Sequence, residues 1–157
     1  MEMTNRNQTT LWLLVRLALG LILLWAFFDK LFGLGFATPA ASAWVNGGSP
    51  TNGFLSHVAG PFGGFYNAIA GNLIIDWLFM LGLLGLGLGL ITGLASKLTG
   101  WGGLILMVLM WGASLPLKNH PFIDEHIIYG LIFVGIVILP EATAIRIRLT
   151  KPTEGVR

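Results

Sequence analysis

The side chains that could do chemistry gather in three short stretches, each bordering an apolar run. Asp29 and Lys30 follow one long run, Asp76 and Trp77 lie near the start of another, and Lys118, His120, Asp124, Glu125 and His126 fall between two more. Trp25 stands four residues before Asp29, and Tyr129 three after His126, so on helices each aromatic shares a face with a titratable neighbour. Carboxylates, an imidazole and an ammonium beside aromatic faces suit a quinone headgroup, whose ring stacks and whose carbonyl oxygens take protons on reduction. On this expectation Asp29, Asp76 and His126 handle protons, Lys30 is the charge partner, and Trp25, Trp44, Trp77 and Tyr129 contact the ring. Tryptophan and tyrosine at an apolar boundary also describe an ordinary interfacial belt. A belt accounts for the aromatics but not for Asp76, which falls a turn inside its run.

Other chemistries find less support. His120 and His126 match no familiar metal-ligand spacing, while Asp124 and Glu125 suit the start of a helix, so no metal is expected. The interiors of the apolar runs hold no histidine, so haem is not expected either. The chain has no cysteine, hence no thiolate nucleophile or Cys-ligated cluster, and electrons for any redox step come from a partner. Nine basic residues are scattered and the net charge is +2, which argues against nucleic acid.

The elements that must position these residues follow from composition. Of 157 residues 55% are hydrophobic and 10% charged, against about 25% charged in a soluble domain. That is too little charge for a water-facing surface and implies an integral membrane protein. Four apolar runs, 11–28, 73–95, 98–117 and 126–145, each approach the roughly 20 residues that cross a bilayer as a helix. Arg16 interrupts the first run and the small residues Ala41-Ser42-Ala43 lie far beyond it, so it reads as a retained span, not a cleaved signal. The expected fold is all-α: one domain over 1–157, an integral membrane four-helix bundle with a folded extracytoplasmic cap loop at about 36–72.

Basic residues orient it. Arg6, Lys97, Arg146, Arg148, Lys151 and Arg157 fall on one side and Lys30 and Lys118 on the other, which places both termini in the cytoplasm of a prokaryotic plasma membrane. The cap loop is rich in Gly, Pro, Ser and Asn, yet it holds Trp44, Phe54, Phe62, Phe65 and Tyr66, more than a solvated linker needs. Ser49-Pro50-Thr51 reads as a helix start. Arg16 and Glu141 lie at similar depth in antiparallel spans, where an ion pair would satisfy both, with snorkelling as the alternative for each. Gly85, Gly89 and Gly93 recur every four residues, a stripe suited to close contact with another span or with a second copy in a homo-oligomer.

The chain resembles the DoxX family of small four-span membrane proteins, related to the small membrane subunit of thiosulfate:quinone oxidoreductase. The resemblance runs through Arg16-Leu17-Ala18-Leu19-Gly20, Asp29-Lys30-Leu31-Phe32-Gly33, Ala43-Trp44-Val45-Asn46-Gly47-Gly48-Ser49-Pro50, Asp76-Trp77-Leu78-Phe79-Met80 and Pro121-Phe122-Ile123-Asp124-Glu125-His126-Ile127-Ile128-Tyr129. It implies a plasma-membrane bundle with a role in respiratory or sulfur-linked electron transfer to quinone, partnered by a DoxA-like subunit or another extracytoplasmic donor. Similar sequences commonly follow the asparagine directly with proline, where this chain reads Asn119-His120-Pro121. Two other classes stay open: a non-catalytic anchor whose cap docks an outer partner, and a small solute carrier with Asp76 and Arg16 on its pathway. The absence of a recognisable inverted repeat argues against the carrier.

Overall fold

In the computed structural model the described residues are 2–139, with side chains from Asn7 onward. They form helices joined by turns and loops, with no strand among them. Helix α1 spans Glu2–Phe32; two single 3-10 turns at Ala40–Ser42 and Trp44–Asn46 and the short α2 (Asn52–Leu55) and α3 (Gly63–Ile69) follow. Then come α4 (Leu73–Thr92), α5 (Ser96–Ser114) and α6 (Glu125–Ile138).

The helix ends depart from the apolar runs for local reasons. Helix α1 extends from Glu2, ahead of Leu11, through a polar stretch that holds neither Pro nor Gly to break it. It also runs past Phe28 to Phe32, taking in Asp29 and Lys30. It stops where Gly33 adopts φ 66° and donates its N–H to the Asp29 carbonyl at 2.8 Å, a left-handed C-terminal cap. A Cβ on Gly33 would also lie 2.6 Å from the Ala40 Cα, so the returning loop admits no side chain there. Helix α5 ends at Ser114, not Leu117, because Pro116 forces Leu115 into an extended conformation with ψ 142°. Helix α6 opens on Asp124, whose carboxylate accepts from the His126 and Ile127 N–H groups, the N-cap that an acidic start implies. The final run beyond residue 139, with Glu141, lies outside the described residues.

Four long helices enclose one core. Leu19, Leu23 and Phe27 of α1 meet Met80, Leu83, Leu86 and Leu90 of α4, with Met107 of α5 and Phe133 and Ile136 of α6 completing it. Three glycine contacts set the spacing. A Cβ on Gly20 would lie 3.1 Å from the Gly87 carbonyl oxygen, so α1 and α4 touch backbone to backbone. On α5, the ring of Phe133 fills the space beside Gly103, and Trp12 of α1 seats its ring on Gly135 of α6. The glycine stripe of α4 divides: Gly85 faces open space, Gly89 receives Thr99 of α5, and Gly93 ends the helix at φ 72° against the buried guanidinium of Arg16.

Two segments, residues 7–32 of α1 and α4, are long and apolar enough to cross a membrane, and α6 is apolar over a shorter length. The outward faces of all four long helices are apolar, with Leu14, Leu21 and Trp25 on α1, Leu78, Leu81 and Leu88 on α4, Trp101, Ile105 and Val108 on α5, and Ile128 and Leu131 on α6 exposed.

These contacts separate glycines that must stay from those that need not. Gly103→Ala displaces the Phe133 ring and costs about 1–3 kcal/mol, the range for overpacking. Gly82→Ala and Gly85→Ala, where a Cβ meets nothing within 4 Å, cost nothing and gain up to about 1 kcal/mol in helix propensity. Thermal unfolding in a single detergent measures all three.

Candidate functional site

The site lies at the end of the bundle where α1 finishes and α4 begins, beneath the loop that joins them. Two buried aspartates hold that loop. Asp29, 2% exposed, accepts from the backbone N–H groups of Phe36 at 3.1 Å and Ala37 at 3.0 Å, one on each carboxylate oxygen. Asp76, 4% exposed, accepts through Oδ1 from the Ser49 hydroxyl at 2.9 Å, the Thr51 N–H at 3.2 Å and the Thr51 hydroxyl at 2.5 Å. Loop amides packed among apolar helices lack ready water, so buried carboxylates supply their acceptors. The Trp44 and Trp77 rings meet edge to face at 4.7 Å and fasten the same loop to α4. The expected helix start at Ser49-Pro50-Thr51 leads directly into α2, where the Thr51 hydroxyl turns to Asp76 and the Ser49 hydroxyl accepts from the Asn52 N–H at 3.1 Å.

Between this cap and helices α4 and α5 is a cavity of about 910 Å³. Ile75, Leu78 and Phe79 form its α4 wall, and Leu106, Leu109 and Met110 its α5 wall. Phe54, Phe65 and Tyr66 close it from the cap, and Thr38, Ser42, Ser49, Thr51 and Asn52 contribute polar atoms. Lys30 is its one charged lining residue among those described. Its Nζ lies 5.8 Å from the centroid of the Phe79 ring, a cation–π contact. The Tyr66 phenol donates to the Leu109 carbonyl at 2.7 Å and ties α3 to α5. Burial pushes that phenol up from its ordinary value, so at neutral pH it stays a neutral donor.

The residues expected to form one cluster separate into several groups. Lys30 alone of them lines the cavity, while Asp29 and Asp76 sit behind it as anchors of the cap. Trp25 is half exposed and meets Phe36 at 5.0 Å, and Tyr129 packs against the bundle core. His126 bonds through Nδ1 to Asp124 at 2.8 Å, beside the N-cap of α6. The Nδ1 of His120 accepts from the N–H groups of Phe122 and Ile123, at 3.1 and 3.0 Å, so this histidine shapes the loop before α6. His57, His120, Asp124 and Glu125 border a second cavity of about 720 Å³, which shares Gly53, Phe54 and Ala113 with the first. No group of three or more His, Asp or Glu is placed to hold a metal ion among the described residues.

Phe79 and the polar loop residues are absent from the sequence-based set of site residues. One signal for Phe79 was available, since Ile75, Leu78 and Phe79 share a helix face by their spacing of three and four. Arg16 is almost fully buried against the turn between α4 and α5, and its expected partner Glu141 lies outside the described residues. Comparison of the chain with protein-family models, characterised proteins and solved structures yields no match.

Asp76→Ala removes three hydrogen bonds to a charged acceptor, each worth about 1.5–3 kcal/mol. The loss is expected to exceed about 2 kcal/mol and to be local. Amide hydrogen exchange should quicken across residues 38–55 and stay unchanged in α5. Unchanged exchange in the cap would show that Asp76 does not anchor it.

Proposed function

We propose that the chain is a DoxX-like, four-span subunit of a prokaryotic plasma membrane, with cytoplasmic termini and an outer cavity that receives a quinone head. The exposed apolar faces on all four long helices support the membrane placement, and the distribution of basic residues supports the orientation. The observation that carries the functional reading is the cavity, whose walls are largely apolar and whose charge comes from Lys30. Its volume lies within the range of about 300–1,000 Å³ found for small-molecule sites.

The lining fits a quinone on chemical grounds. The ammonium of Lys30 and the hydroxyls of Thr38 and Ser42 offer donors to carbonyl oxygens, and Phe54, Phe65, Tyr66 and Phe79 offer ring surfaces. When bound, a quinone supplies the capacity to accept electrons and protons. The chain binds and orients the head and excludes bulk water, and the electrons come from an extracytoplasmic donor or a DoxA-like subunit. Asp29 and Asp76 serve this site by fixing its cover.

A second reading, a non-catalytic anchor, draws on the same two carboxylates, because their hydrogen bonds give the cap a fixed surface on which Phe36, Val45 and Phe62 are exposed. The two readings part on ligand content. The chain purified in mild detergent is expected to retain an extractable quinone, and Phe79→Ala should lower its occupancy at least threefold, while Trp25→Ala leaves it unchanged. Quinone no higher than the lipid background, with none taken up on addition, rejects the proposal; loss of a co-purifying partner on altering Val45 would then favour the anchor.

A further inference from the structure

We propose that Lys30 makes this cavity selective for quinone-type heads that carry a negative charge, a preference that rests on the quinone reading above and adds a charge requirement to it. The ammonium has no carboxylate within ion-pair distance among the described residues. Its sequence neighbour Asp29 lies near enough to act on it electrostatically, but both Asp29 oxygens are held by the Phe36 and Ala37 amides. From α4 the ammonium meets Phe79; the cap residues that share the cavity lining, Thr38 and Ser42 among them, are neutral, and the α5 wall is apolar. The Tyr66 phenol is engaged with the Leu109 carbonyl. The cation therefore lines the cavity with an aromatic face beside it and no carboxylate among the lining residues, Asp29 acting on it only from behind the wall.

That arrangement favours an anionic occupant over a neutral one. An ammonium at the wall of a largely apolar cavity is costly where its compensation is partial, and its attraction to a charged oxygen is stronger there than in water. A neutral carbonyl recovers only a charge-assisted hydrogen bond. The part of the lining formed by Ser49 and Thr51 acts in the same direction. The Ser49 and Thr51 hydroxyls have donated their protons to Asp76, and the Ser49 oxygen also accepts from the Asn52 N–H at 3.1 Å, so neither hydroxyl has a proton left for an anion and a carboxylate lies behind them. An anionic head is repelled from that wall and drawn to the α1 end.

Two ring systems of nearly equal size test this: a hydroxynaphthoquinone that is ionised at neutral pH, and the neutral methylnaphthoquinone. Their affinities for the detergent-purified chain are read by equilibrium dialysis. The wild type should bind the ionised probe at least tenfold more tightly, after correction for partitioning of each probe into empty micelles. Lys30→Met should remove that preference, weakening the ionised probe at least tenfold more than the neutral one, while unchanged thermal unfolding in the same detergent shows that the variant is folded. Lys30→Arg, which keeps the charge, should retain the preference. Equal affinities in the wild type, or a preference that survives Lys30→Met, overturn the proposal while the quinone reading stands. If neither probe binds, the quinone reading itself falls and this inference falls with it.

Discussion

Asp29 and Asp76 impose the constraint on which the outer half of this molecule depends. Each is a buried carboxylate near one end of a long helix, and each takes its hydrogen bonds from the intervening loop. A loop rich in Gly, Pro and Ser loses much conformational entropy on ordering, and its apolar contacts alone give it little directional specificity. Charged acceptors at fixed positions on two packed helices provide that direction. Residues 36 and 37 are caught by one and residues 49 and 51 by the other, and the chain between them has few ways to run. Ala43, fully buried, and Trp44, against the bundle core, are the consequence.

The cavity follows from how the helices are spaced. Helices α4 and α5 approach closely near their shared turn, where Thr99 occupies the place of a side chain on Gly89. At the other end larger residues, Ile75 and Phe79 on one helix and Leu109 and Met110 on the other, hold them apart, and the cap covers the opening. Glycine at one end and bulk at the other make a wedge-shaped space. Lys30 reaches it because α1 continues past its apolar run by one further turn, carrying the ammonium to a helix C-terminus, where a cation is favoured.

Much of this was legible in the sequence and some was not, for definite reasons. The long helices, the ordered cap and the N-cap of α6 were readable because hydropathy, aromatic content and capping chemistry are local signals. The anomalous depth of Asp76 was also readable and did mark a residue with specific partners. What those partners were was not, because Ser49 and Thr51 lie a whole loop away. Close spacing was the other obstacle: Asp76 and Phe79 are three residues apart on α4, yet the first bonds to the cap and the second lines the cavity. Proximity to the same boundary made the titratable residues look like one cluster, whereas His126 and Tyr129 belong to α6 and its cap.

The seating of Trp12 on Gly135 bears on how the chain is assembled. These residues lie near opposite ends of the described sequence, and each belongs to a helix that also packs against another neighbour, α1 against α4 and α6 against α5. Helix α1 thus keeps part of its surface for α6, which is synthesised after it. Its groove beside Trp12 stays unfilled until α6 emerges, so closure of the bundle is a late event of high contact order. A chain stalled before α6 would present an open seam along α1.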